Sequence, residues 1–196
     1  PRHLHWAAYA RTGQLTMKLY RAEVSPLVDL VVDASASMRA EPARAARTEA
    51  LVAFCLESAA RAGAPARLYA AEGRAVRVVA TERARAAGWW AAAECHQMGD
   101  KGADAAGLPG RLPWRAGAMK IWVSDLLFPG EPAPVLQGMS SGGGCALVFV
   151  PVLASEATLA ERGNVGLADP EAGEAAGRRQ RIDDALAERY RVAYAR

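Results

Sequence analysis

The sequence predicts an α/β domain: a mostly parallel central sheet with helices on both faces and an antiparallel hairpin at its edge. Three observations carry this. Residues 27–33 (Leu-Val-Asp-Leu-Val-Val-Asp) are a short apolar, β-branched run of the kind a buried parallel strand needs. They pass through a polar loop into a long Ala/Arg/Leu segment opened by Pro42, a residue tolerated in a helix's first turn. Residues 119–123 (Met-Lys-Ile-Trp-Val) repeat the strand pattern and also end beside an aspartate, Asp125. Between them, 66–71 and 75–79 read as two short strands joined at Glu72-Gly73-Arg74, a tight hairpin suited to a sheet edge. Strand, polar loop and helix is the unit that places ligands at the carboxyl edge of an open sheet.

Taken in order, residues 14–24 alternate loosely and predict a half-exposed strand, which Ser25-Pro26 breaks. In the buried strand 27–33, Asp29 is expected near the strand's start within reach of an arginine, because an unpaired buried carboxylate is costly. Residues 43–62 predict the clearest helix, with Leu51, Phe54, Cys55, Ala59 and Ala62 on its apolar face and Gly63 closing it. Thr81 is expected to cap a helix running to about Glu94. Trp89 and Trp90 would then point about 100° apart, one into the core and one partly exposed. Residues 97–117, rich in Gly, Pro and Asp, predict a long functional or mobile loop with a helical turn near Ala105. After the strand 119–123 come a short helix at 132–139, a flexible turn at 140–144 and an apolar strand at 146–152. Residues 164–169 predict a strand at the far edge of the sheet. The closing helix is placed at 178–194, with Ile182, Ala185, Leu186, Tyr190 and Ala193 on one face. Its basic start, Arg178-Arg179-Gln180-Arg181, opposes the helix dipole and suggests an acidic partner.

Composition bounds the function. At 196 residues the chain forms one domain, read as a lead-in over 1–25 and the α/β domain over 26–196. Hydrophobic residues make up 52% and aromatics 7%, so Ala, Val and Leu carry the core. No apolar run approaches a membrane span, and no signal peptide is visible. Pro1 is not an initiator Met, so the chain is expected to be a fragment. Cys55, Cys95 and Cys145 are odd in number and far apart, which fits a reducing, cytoplasmic location, with membrane association left open for a longer form. His3, His5 and His96 are too scattered for zinc. The net charge of +3 comes from dispersed arginines without interleaved aromatics, so no nucleic-acid surface is expected.

The polar loop after the first strand reads Asp33-x-Ser35-x-Ser37. Alternate residues in a turn can converge on one point, and an aspartate with two hydroxyls offers hard oxygens suited to Mg²⁺, Mn²⁺ or Ca²⁺. Asp125 at the end of a second strand could share the same ion. The plainer alternatives are a Ser-rich turn and a helix-capping aspartate.

With an apolar strand before it, Asp33-x-Ser35-x-Ser37 resembles the metal-ion-dependent adhesion site of von Willebrand factor type A domains. Arg2-His-Leu-His-Trp6, Ala10-Arg11-Thr12-Gly13 and Val123-Ser124-Asp125-Leu126-Leu127-Phe128-Pro129-Gly130 narrow the likeness. Together they resemble the bacterial family known as domain of unknown function fifty-eight, over nearly the whole chain. That resemblance implies a Rossmann-like, von Willebrand factor A-type fold, a divalent cation and association with a MoxR-type AAA ATPase, without catalysis. By resemblance Asp33, Ser35, Ser37 and Asp125 are its first, second, third and final ligands, with an open position for a partner's acidic side chain. The family pattern also has a loop threonine. None lies between Thr81 and Asp125, and Asp104 or Asp100 is the candidate substitute. His5 stands where the family usually has an acid. An Mg²⁺-dependent Asp-nucleophile phosphohydrolase is the runner-up, but it needs a second carboxylate at position 35. Arginine-mediated nucleic-acid binding is a third reading.

Overall fold

In the computed structural model, residues 5–14, 26–72, 75–86, 88–90, 112, 114–127, 132–168 and 178–194 are described. Of the strand expected at 14–24, residues 15–24 lie outside them, as do the helical turn near Ala105 and Asp100 and Asp104. Within the lead-in, α1 (Trp6–Thr12) is a helix that the sequence reading did not anticipate, its first turn capped by His5 Nδ1 accepting from Ala8 N–H at 3.0 Å.

The elements that follow are β1 (Val28–Asp33), α2 (Ala36–Ala40), α3 (Pro42–Arg61), β2 (Ala66–Glu72) and β3 (Ala75–Val79). After a short 3₁₀ turn at Arg83–Arg85 come β4 (Met119–Val123), α4 (Pro132–Ser140) and β5 (Cys145–Phe149). A second 3₁₀ turn, Ala154–Ala157, precedes β6 (Gly163–Leu167), β7 (Arg178–Ile182) and α5 (Asp184–Tyr194). The main sheet has the order β3-β2-β1-β4-β5. Its β1–β2, β1–β4 and β4–β5 ladders are parallel, and β2–β3 is the expected antiparallel edge hairpin. Fold class is thus as the apolar runs predict, a Rossmann-like α/β arrangement.

Strand alternation sorts the core into two layers. Leu30, Val32, Leu68, Ala70, Ile121 and Val123 pack on one face with Val52, Cys55, Leu56 and Ala59 of α3. Val31, Tyr69, Ala71 and Trp122 pack on the other with Val135 and Met139 of α4. Buried on both faces, β1 and β4 cannot show an apolar/polar alternation, which is why each reads as a near-continuous apolar run. Asp29, fully buried at the second position of β1, is held by Arg115. The backbone N–H of Arg115 donates to Oδ2 at 2.8 Å and its Nε to Oδ1 at 2.8 Å, while Nη2 binds the carbonyls of Val28 and Pro65. The arginine expected beside Asp29 is therefore present.

Several expectations are corrected. The buried stripe of α3 is Thr48, Val52, Cys55, Leu56 and Ala59, about one residue round from the predicted face, and Phe54 is 65% exposed. In an Ala-rich helix few side chains are large enough to fix the rotation, so the sheet beneath decides it. No helix runs from Thr81 as expected: the 3₁₀ turn ends at Arg85 and Gly88 takes a φ of +76°, a left-handed conformation that interrupts a helix. Freed from helical geometry, Trp89 and Trp90 are both buried, their rings 5.2 Å apart and edge-on. β6 does not join the far edge of the main sheet. It pairs antiparallel with β7 in a separate two-stranded sheet. Residues 178–182 are consequently strand rather than the start of the last helix, which begins at Asp184 with Asp183 Oδ1 accepting from Leu186 N–H at 2.8 Å. A run of arginines is a poor helix start and tolerable on an exposed edge strand. Among the described residues no helix is long and apolar enough to cross a membrane.

Candidate metal centre

From β1 the chain leaves through α3 to β2 on one side, and it later returns to β4 on the other side of β1. That reversal makes the β1/β4 junction a topological switch point, where an open α/β sheet leaves a crevice beyond its carboxyl ends. Val32 is paired with Val123, so Asp33 and Ser124-Asp125 emerge side by side.

The polar groups at this edge form a connected set. Asp33 Oδ1 accepts from the Ser35 backbone N–H at 2.9 Å, which folds the loop back on the strand, and its Oδ2 accepts from the Ser124 hydroxyl at 2.6 Å. Ser35 sits at the start of α2 yet its hydroxyl makes no capping bond. It lies 3.1 Å from the Ser37 hydroxyl instead. Asp125 Oδ1 accepts from Leu127 N–H at 3.0 Å, and Ser124 Oγ accepts from Leu126 N–H at 3.0 Å. These turns hold Leu126 at a φ of +61°, strained for a residue with a side chain. Asp125 Oδ2 takes a charged bond from Arg44 Nη1 at 3.2 Å; Arg44 Nη1 also donates to the Ser37 carbonyl at 2.9 Å, and Nη2 pairs with Glu156.

Asp33, Ser35, Ser37 and Asp125 lie at one end of the sheet, beyond β1 and β4 or at their ends, and Asp104 falls outside the described residues. Sequence reasoning missed Ser124, Arg44 and Glu156. Arg44 carried a usable signal, a cation in the first turn of a helix where the dipole disfavours it. Among the described residues no three or more of His, Cys, Asp and Glu gather as a metal cluster, so hydroxyls would have to complete any ligand set. Two carboxylates with seryl hydroxyls are hard donors suited to Mg²⁺ or Ca²⁺. Each carboxylate oxygen keeps a lone-pair site beyond the bond it already accepts, so the donors fit such an ion.

Burial pushes the Asp33 carboxyl above its ordinary value of 3.8, and the nearby charge of Asp125 adds to the rise, against the bonds from Ser124 and Ser35. Between 3.8 and the raised value the folded chain binds more protons than the unfolded one, so stability from this group falls as pH rises through that window. Ionised Asp33 is then a cost at neutral pH when no cation compensates it. Asp33→Asn should raise the melting temperature at pH 7 in chelator, and the gain should vanish on acidification to about pH 4. Thermal melts of both proteins across that range are the check; an equal gain at every pH would assign the effect to packing.

An open α/β sheet with an acidic, hydroxyl-lined switch point is the class that fold and site define. The chain belongs to the family described as protein of unknown function DUF58, whose model matches residues 1–196. Neither a curated protein nor a solved structure matches it.

Proposed function

We propose that this protein is a metal-ion-dependent protein-interaction module of the von Willebrand factor A type. It works as an adaptor or assembly factor with a MoxR-type AAA ATPase and is not itself an enzyme. The observation that carries this reading is the placement of Asp33 and Asp125 at the ends of adjacent parallel strands, with the hydroxyls of Ser35 and Ser37 3.1 Å apart beside them. Asp33, Ser35, Ser37 and Asp125 would hold the cation, which when bound supplies an open position for a carboxylate of the partner. The Asp-nucleophile phosphohydrolase is less well supported, since Ser35 stands where its general acid is needed and bonds to Ser37.

Two carboxylates and two neutral hydroxyls are fewer than the six oxygens Mg²⁺ demands, so water completes the shell and affinity is low. Calorimetry of the isolated domain with Mg²⁺ and Mn²⁺ should give a Kd on the order of 10⁻⁴ to 10⁻³ M. A partner carboxylate adds an oxygen and a charge, so cation and partner should tighten each other's binding by the same factor. Submicromolar binding by the domain alone would mean that a further group such as Asp104 completes the site. No binding even with the ATPase present would reject the reading.

A further inference from the structure

Arg44 stands in the first turn of α3, just after Pro42, where the helix dipole disfavours a positive charge. Its side chain is only 11% exposed, and Nε is buried without a hydrogen-bond partner among the described residues. Three groups hold it: the nearby Ser37 carbonyl in α2, and two acids distant in sequence, Asp125 just beyond β4 and Glu156 in the 3₁₀ turn after β5. Two of these, Asp125 and Ser37, are candidate cation ligands. Glu156 is a fixed post. Its Oε2 accepts from Leu153 N–H at 2.9 Å and its carbonyl accepts from the Tyr190 hydroxyl of α5 at 2.6 Å.

We infer that Arg44 is a tethered counter-cation that competes with the divalent ion for Asp125, with Glu156, which already holds Nη2, keeping the guanidinium paired when the ion binds. This rests on the metal-site reading above. A guanidinium on Asp125 Oδ2 uses one of that carboxylate's acceptor positions and repels a second cation a few ångströms away. The guanidinium is held against Asp125 by side-chain geometry, so the competition is built into the fold. Glu156 lowers its cost, because Arg44 can give up Asp125 without becoming an unpaired buried charge. The device keeps the acidic edge neutralised until cation and partner arrive together.

The test is Mn²⁺ titration of the full chain by calorimetry, with circular dichroism to confirm folding. Arg44→Gln should tighten Mn²⁺ binding about tenfold or more, the effect of removing one nearby positive charge. Arg44→Lys keeps the charge and should stay near wild type. Glu156→Gln removes the alternative acceptor and should weaken Mn²⁺ binding, and that weakening should disappear in an Arg44→Gln background. Wild-type or weaker affinity in Arg44→Gln would make Arg44 a structural staple and overturn the inference while leaving the metal site standing. If Arg44→Gln fails to fold, Glu156→Gln decides: unchanged or tighter binding overturns the inference. If neither wild type nor Arg44→Gln binds Mn²⁺, the inference and the metal-site reading fall together.

Discussion

Arg115→Ala should cost the fold about 3–5 kcal/mol, the usual effect of stripping one partner from a buried ion pair. Asp29 lies fully buried in β1, with parallel neighbours on both sides. Arg115 answers it with a backbone N–H and a side-chain N–H, each at 2.8 Å, and its Nη2 ties the carbonyls of Val28 and Pro65. Alanine keeps the backbone bond but leaves the charge uncompensated and takes the guanidinium donor from the Val28 and Pro65 carbonyls, the latter still accepting from Val28 N–H at 3.1 Å. In a chain of this size the melting temperature should drop by roughly 10 °C or more. Urea denaturation measures the loss directly. The double variant Asp29→Asn with Arg115→Ala should recover part of it, because the buried charge is then gone. A loss below about 1 kcal/mol in the single variant would mean that water reaches Asp29 and that the pair is not sealed.

Asp33→Ala combined with Ser35→Ala should abolish both cation and partner binding while the fold survives. Asp33 is the last residue of β1 and Ser35 lies just beyond it, where their polar atoms bond within the loop and to Ser124. Removing them forfeits hydrogen bonds of about 1 kcal/mol each but also removes a buried carboxylate whose ionised form is disfavoured. The two effects oppose, so stability should change little. Pull-down with a MoxR-type AAA ATPase in Mg²⁺, alongside circular dichroism, separates binding from folding. Retained binding would remove Asp33 and Ser35 from the site, and loss of fold together with binding would count against a pure ligand role.

Legibility in the sequence followed how much of the cause was local. Helix α3 is announced by Pro42 and closed by Gly63, and both ends lie within a residue of expectation. Its buried face was misread because Leu51, Val52, Phe54 and Leu56 offer competing stripes, and only the sheet below selects among them. Residues 178–182 read as helix from their neighbours alone; their strand conformation depends on pairing with 163–167, a contact that local periodicity does not report.

The sequence by itself determined that Leu27 to Asp33 and Met119 to Val123 are buried parallel strands, because a strand covered on both faces must be apolar throughout. It likewise determined that an aspartate stands at the end of the first and two residues beyond the second, and that Asp29 needs an arginine, since an unpaired charge there would be unaffordable. Only the tertiary structure decided that these strands are neighbours, that the arginine is Arg115, and that Arg44 reaches Asp125 and Glu156. Arg44–Asp125, Asp29–Arg115 and Asp33–Ser124 join residues 81, 86 and 91 positions apart, and Arg44 and Glu156 lie further apart still. Such contacts are set by how whole strands and helices pack, which no short stretch of chain encodes.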